Sequence, residues 1–127
     1  MEAFSPAVEQ FIAQHIESLA QLETLLLAHA DRDQWWNCED LTKRLYLRAE
    51  DCAAILGNLE KRGFLRRRET DASQYQYAAR DAAVDTLIEQ LGTAYHERRV
   101  AVITQIYSKP VDKVQTFADA FRFRKEP

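Results

Sequence analysis

The sequence predicts a mostly α-helical fold that contains one small β-hairpin. Apolar residues return at steps of three and four over most of the chain, which is the repeat of an amphipathic helix. Only 3 glycines and 3 prolines occur among the 127 residues, too few for the many turns of an all-β fold. Residues 64–78 instead show the alternation that is typical of strands. The length is the common size of a single domain, so we expect one domain over residues 1–127.

The first predicted helix spans residues 5–30. Ser5 and Pro6 favour a helix start, because a serine hydroxyl accepts a bond from a free amide and proline at the first position loses no hydrogen bond. The pattern stops at Asp31, so one long helix should end near Ala30. Its apolar residues keep the helical repeat and are Val8, Phe11, Ile12, Ile16, Leu19, Leu22 and Leu26.

The sequence pattern over residues 37–79 predicts two helices followed by the hairpin. Asn37 favours the start of a short helix, and a break then leads to a second helix over residues 49–62. Gly63 is the left-handed residue expected after a helix. Two short strands within residues 64–78 should pair across a polar turn.

Two further helices are predicted after the hairpin. Asp81 can cap a long helix over residues 81–108, and Lys109-Pro110 interrupts the pattern beyond it. A last amphipathic helix is expected over residues 110–123. Its apolar side consists of Val111, Val114, Phe117, Ala118 and Phe121.

The order of these elements resembles the winged helix-turn-helix of bacterial transcriptional regulators, broadly of the MarR type. The most specific part joins a helix to the first strand across a glycine, and consists of Leu56, Leu59, Gly63, Phe64 and Leu65. The resemblance covers roughly the middle half of the chain. It implies a homodimeric regulator of transcription that binds double-stranded DNA and carries long flanking dimerisation helices. In that family the helix before the glycine enters the major groove, and the hairpin, or wing, lies on the adjacent backbone.

Positive charge is concentrated in the same segment. Residues 40–68 carry eight basic and four acidic side chains, a net charge of +4, whereas the rest carries nine basic and sixteen acidic ones, a net charge of −7. This asymmetry can orient a polyanion onto one face. Because side chains alternate along a strand, Arg66 and Arg68 should point to one side and Arg67 to the other. The candidate DNA-binding residues are Lys43, Arg44, Arg48, Asn58, Lys61, Arg62, Arg66, Arg67 and Arg68.

Other features of this segment argue against DNA. Glu50 and Asp51 begin the second helix of the pair, where they stabilise the helix dipole but repel phosphates. The three successive arginines are also consistent with a solvated hairpin edge whose charge discourages pairing between sheets. A second hypothesis is therefore a non-catalytic protein-interaction module that has lost base reading and binds a protein partner.

The flanking helices predict a homodimer. Their apolar stripes are longer than a domain of this size can cover by itself, and exposed stripes of that size normally mark an interface. The alternative, in which the helices fold back on one monomer, we weigh as the weaker one. The predicted dimer interface consists of Phe11, Val84, Leu87, Leu91, Tyr95, Val102, Ile106, Phe117 and Phe121.

The sequence gives no signature of catalysis, such as a phosphate-binding glycine loop or a nucleophile elbow, so we expect neither enzyme activity nor a cofactor. The three histidines are not at metal-ligand spacing, so no metal site is expected. Cys38, at a helix start, is a candidate redox residue with ordinary packing as the alternative, and Cys52 lies on an inward stripe. Of Trp35 and Trp36, one ring should cover the core and the other be partly exposed.

The location predicted for the chain is the cytoplasm. The sequence has no run of eighteen apolar residues, and Met1 is not followed by a basic and then an apolar stretch, so neither a membrane span nor a secretory signal is expected. Two cysteines are too few for a disulfide framework, which fits a reducing compartment.

Overall fold

The computed structural model describes residues 5–108, and within this range the chain is mostly helical with one small antiparallel hairpin. Its helices and strands are α1 (Pro6–His15), α2 (Leu19–Ala30), α3 (Cys38–Leu45), α4 (Ala49–Lys61), β1 (Leu65–Arg67), β2 (Tyr75–Tyr77), α5 (Ala82–Glu97) and α6 (Arg99–Tyr107). The succession from α2 to β2 is compatible with a winged-helix arrangement. In the described part of the chain, every helix is too short or too polar to cross a membrane.

The predicted helix over residues 5–30 is in fact two helices. Ser5 caps α1 as expected, since its Oγ accepts a bond from the amide of Val8 at 3.3 Å. The helix ends at His15, because Ile16 adopts an extended backbone, and Ser18 caps α2 by accepting from the amide of Gln21 at 3.1 Å. Ile16 stays fully buried at the bend. The apolar repeat therefore continues across the break, which is why the sequence pattern did not reveal it.

Helices α3 and α4 begin and end close to where the sequence predicts. The Oδ1 atom of Asn37 accepts from the amide of Asp40 at 2.8 Å, which confirms the predicted cap of α3. Tyr46 ends this helix with a left-handed backbone at φ 58° and is 91% exposed. Gly63 follows α4 at φ 87°, as predicted, and the amide of Phe64 returns to the carbonyl of Leu59.

Besides β1, strand β2 pairs with a single residue of the chain before α3. Strands β1 and β2 pair antiparallel, with Leu65 opposite Tyr77 and Arg67 opposite Tyr75. On the other side of β2, Trp36 and Tyr75 exchange two backbone hydrogen bonds of 2.7 and 2.8 Å. The chain before α3 is therefore fixed to the hairpin, and β2 lies between two neighbours.

The predicted helix over residues 81–108 is also broken. Asp81 caps α5 by accepting from the amide of Val84 at 2.8 Å, but Arg98 leaves the helical conformation and α6 begins at Arg99. The polar run from residue 96 to residue 99 interrupts the apolar stripe at this point. As a result α6 contacts both α1 and α5. The helix predicted over residues 110–123 lies outside the described residues.

The two breaks change the interpretation of the apolar stripes. The prediction that the apolar stripes are exposed is wrong for five of their residues. These five are buried within one copy of the chain and are Phe11, Val84, Leu91, Val102 and Ile106. Leu87 and Tyr95 are half-buried against the same core, and Phe117 and Phe121 lie outside the described residues. Helices that fold back bury these side chains without a second copy. The alternative in which the helices fold back on one monomer therefore describes them, and dimerisation stays a prediction.

Candidate nucleic-acid interface

Arg66 and Arg68 lie together on one face of the hairpin, the outer face, as the alternation predicts. The Nε and Nη2 atoms of Arg66 donate to the Oε1 atom of Gln76 at 2.8 and 2.5 Å. Nη1 of Arg68 donates to Oε1 of Gln74 at 2.8 Å. Both guanidinium groups also lie over the Trp35 ring, with their central carbons 5.2 and 5.0 Å from its centroid.

These contacts orient the two arginines without neutralising them. Gln74 and Gln76 are uncharged, and within residues 5–108 neither arginine forms an ion pair. A cation–π contact at an exposed site contributes about 0.5–1 kcal/mol, so either guanidinium can turn from the Trp35 ring to a phosphate at small cost. The outer face therefore presents two adjacent cations to solvent.

Arg67 lies on the opposite, inner face of the hairpin. Its Nη2 atom donates to Oε1 of Glu60 on α4 at 2.8 Å, and its guanidinium lies 5.3 Å from the centroid of the Tyr75 ring. A phosphate brought to Arg67 would also meet the Glu60 carboxylate. The structure thus separates Arg67 from Arg66 and Arg68, as the alternation predicts.

The cations of α3 are exposed. Lys43 and Arg44 are in its last turn, and the Arg44 guanidinium lies 5.5 Å from the centroid of the Trp36 ring. Trp36 is buried and Trp35 half-buried, which confirms the division predicted for the two rings. Among the described residues, neither Lys43 nor Arg44 pairs with a carboxylate, and the same holds for Lys61 at the end of α4.

Arg48 is paired with acidic residues instead. It forms ion pairs with Glu50 and, at 3.8 Å, with Asp51, both in the first turn of α4. The start of this helix is therefore locally neutral or acidic, although it is the part that the resemblance would place against bases. Arg48 is poorly placed for the phosphate contact that the sequence suggested.

Asn58 and Arg62 belong to an internal network rather than to the exposed cations. Oδ1 of Asn58 accepts from Nε2 of Gln21 at 2.9 Å and from Nε of Arg62 at 2.7 Å. Arg62 also donates to the carbonyl of Gln14 at 3.0 Å and pairs with Glu17 at 2.8 Å, so that its side chain is only 20% exposed. Their proposed contacts with bases and phosphates are not supported by this placement.

A signal for this network is present in the sequence. The buried side of α2 is formed by residues 21, 22, 24, 25 and 28, and two of these five, Gln21 and Thr24, are polar. Buried polar groups require hydrogen-bond partners. The Thr24 hydroxyl bonds to the carbonyl of Ala20 in its own helix, so Gln21 is the residue that indicates a partner on another helix. The pattern does not indicate that this partner is Asn58.

The exposed face of α4 is formed by small side chains. Ala53 and Ala54 are exposed, and a Cβ atom added to Gly57 would have no neighbour within 4 Å. With Asn58 turned inward, few groups on this face can form hydrogen bonds with base edges. This observation favours the protein-interaction hypothesis over sequence-specific reading.

Tyr77 and Asp85 connect the hairpin to α5. The Tyr77 hydroxyl donates to Oδ1 of Asp85, and Arg32, which follows α2, pairs with the same carboxylate at 3.2 Å. The hydrogen bond from Tyr77, together with Arg32, lowers the pKa of Asp85, and burial raises the pKa of Tyr77 above its ordinary value of 10.0. Asp85 therefore stays charged and Tyr77 stays protonated, which fixes the hairpin relative to α5 over the neutral pH range.

Comparisons of the chain with protein-family models, with curated proteins and with solved structures give no match.

Proposed function

We propose that this chain is a winged helix-turn-helix regulator of transcription that binds double-stranded DNA as a homodimer. In this arrangement α3 and α4 are the helix-turn-helix, and the β1–β2 hairpin is the wing. Helix α4 approaches the major groove, and the wing lies on the adjacent phosphate backbone.

One observation carries the DNA-binding proposal. Five exposed cations of this segment form no ion pair within residues 5–108, although the rest of the chain is acidic. They are Lys43, Arg44, Lys61, Arg66 and Arg68. Unpaired cations that neutralise phosphates release condensed counterions, which is the main source of affinity for duplex DNA. Tyr46, in the turn that leads into α4, is an exposed residue whose hydroxyl can also bind a phosphate.

The surface proposed for the second copy is on α6. Val100 is 77% exposed and Tyr107 is 50% exposed, with Ile103 half-buried between them. Steps of three and four place these residues on one helix face. The residues that follow α6 continue with an apolar pattern, so the proposed interface combines this face with residues 110–123.

The test is the salt dependence of duplex binding by the double variant Arg66→Ala/Arg68→Ala. The slope of log affinity against log salt should become shallower by about two, since each arginine contributes about one phosphate contact. The control is Arg98→Ala/Arg99→Ala, which removes the same charge at the α5–α6 junction and should keep the slope. Equal slopes in both variants would contradict the proposed role of the wing.

A protein-interaction module without base reading is the second candidate. The small exposed face of α4 and the Arg48–Glu50–Asp51 cluster favour it. The same titration separates the two candidates, because nonspecific binding to DNA is strongest at low salt. Absence of duplex binding under that condition would favour the interaction module.

A further inference from the structure

Trp35 is fixed beside the wing, although it belongs to neither the helix-turn-helix nor the hairpin. It is half-buried and precedes α3. Its neighbour Trp36 exchanges two backbone hydrogen bonds of 2.7 and 2.8 Å with Tyr75 of β2. Nε2 of Gln76 also donates to the carbonyl of Asp33 at 3.0 Å. Bonds before and after Trp35 therefore attach its backbone to the hairpin.

The Trp35 ring restricts both arginines of the outer face. The central guanidinium carbons of Arg66 and Arg68 lie 5.2 and 5.0 Å from its centroid, and Gln76 and Gln74 accept hydrogen bonds from the same two side chains. Fixing a mobile side chain on binding costs conformational entropy. Contacts with both a ring and a glutamine restrict the arginine rotamers before any ligand is bound, so that less of this cost remains.

Both arginines keep free N–H groups while they contact the ring. Within residues 5–108, Nη1 of Arg66 has no hydrogen-bond partner, and neither have Nε and Nη2 of Arg68. A guanidinium carries five N–H groups, so a ring contact and bonds to one amide leave donors for a phosphate. Neither arginine therefore has to leave Trp35 in order to bind one.

We propose that Trp35 is the positioning residue of the wing, and that it holds Arg66 and Arg68 for two adjacent phosphates of one DNA strand. The inference rests on the proposed function, to which it adds a residue outside the helix-turn-helix and the hairpin. Residues two apart on a strand are separated by about 6.6 Å, which is close to the spacing of neighbouring phosphates along a DNA strand. Because Trp35 is uncharged, it sets the affinity of the pair without changing the number of phosphates bound.

The test compares duplex binding by the wild type and by Trp35→Leu over a range of salt concentrations. Leucine keeps an apolar side chain at this position but has no aromatic face. We expect the affinity to fall about tenfold, because two arginines then have to be ordered on binding. The slope of log affinity against log salt should stay that of the wild type, because no charge is lost. Trp35→Tyr restores an aromatic face and should recover most of the affinity.

An unchanged affinity in Trp35→Leu would overturn the proposal. So would a salt slope as shallow as that of Arg66→Ala/Arg68→Ala, or a Trp35→Tyr protein that binds no better than Trp35→Leu. Urea denaturation of each variant verifies that it is folded under the binding conditions, and Trp35→Ala provides the same comparison with a smaller side chain.

A double-mutant cycle separates positioning from direct contact with DNA. In the Arg66→Ala/Arg68→Ala background, Trp35→Leu should cause no further loss of affinity, because the ring then has no arginine to hold. A further loss would show that the ring itself binds DNA and would contradict the assigned role. A wild type that fails to bind duplex DNA at low salt overturns the proposed function together with this inference. A wild type whose binding depends on the two arginines but not on Trp35 overturns this inference alone.

Discussion

His15 lies where ring packing and two arginines meet. Its ring centroid is 5.0 Å from that of Phe11 and 5.2 Å from that of Phe64, and Nη1 of Arg62 contacts its Nδ1 atom at 3.2 Å. Burial, followed by Arg62 and Arg80, lowers the pKa of His15 below its ordinary value of 6.5. Neutral His15 can accept a hydrogen bond from Arg62, whereas protonated His15 would repel the Arg62 guanidinium.

We expect folding stability to fall as the pH drops below about 6.5. The unfolded chain takes up a proton at His15 near its ordinary pKa, while the folded chain takes it up only at lower pH. His15→Gln keeps an acceptor for Arg62 without titrating, so its unfolding midpoint should depend less on pH between 7.5 and 5.5 than that of the wild type. His96→Gln, at an exposed site on α5, is the control, and an identical pH dependence in all three proteins would contradict this role.

Helix α4 and the hairpin meet at a junction that requires glycine. At φ 87°, Gly63 has a backbone that L residues rarely adopt, and an added Cβ atom would lie 3.0 Å from Cδ and 3.2 Å from Cβ of Arg80. Nη1 of Arg80 donates to the carbonyl of Arg62 at 3.1 Å, so this side chain helps to close the junction. Gly57, six positions earlier, has free space around it.

Replacing each of the two glycines by alanine should therefore change the free energy of unfolding in opposite directions. Gly63→Ala should lower the free energy of unfolding by about 1–2 kcal/mol, because it forces a left-handed backbone and crowds Arg80. Gly57→Ala, on the exposed face of α4, should raise it by about 0.5–1 kcal/mol through helix propensity. Urea denaturation of the two variants measures both values, and a loss in both would contradict the conformational argument.

Helix α6 is the element through which two copies would associate under the proposed function. Its inner side is fixed, since Val102 and Ile106 are buried. At the end of the helix, the Tyr107 hydroxyl accepts from the amide of Leu19 at 2.8 Å while half of the residue stays exposed. Val100 remains on the outer side with little cover from the rest of the described chain.

We expect the wild-type protein to sediment as a dimer at micromolar concentration and Val100→Glu to sediment as a monomer. A carboxylate at this position would have to be buried without a partner in an apolar interface. Gln105→Glu adds the same charge to α6 at a position two residues from both Ile103 and Tyr107, away from this face, and should remain dimeric. A monomeric wild type would exclude the homodimer.

Local features of the structure were predictable from the sequence, whereas features that depend on a distant neighbour were not. Asn37, Asp81 and Gly63 have the predicted roles because a cap involves only residues within one turn. The shared face of Arg66 and Arg68 follows from strand alternation alone. These positions mark where the elements begin and end.

The break between α1 and α2 escaped prediction because packing determines it. Ser18 is a weak signal by itself, and only the burial of Ile16 at the bend explains why the chain turns there. Asn58 was misassigned for a related reason, since its partner Gln21 lies thirty-seven positions away.

Under the proposed function, the attachment of the hairpin to α5 through Tyr77 and Asp85 bears on how far apart two DNA half-sites can lie. Because α5 leads directly into α6, a pair of chains joined along α6 would hold its two hairpins at a separation set by rigid helices rather than by a flexible connector. Such a pair would bind half-sites whose spacing places both on the same side of the double helix. It would bind poorly to duplexes in which a few inserted base pairs rotate one half-site away from the other.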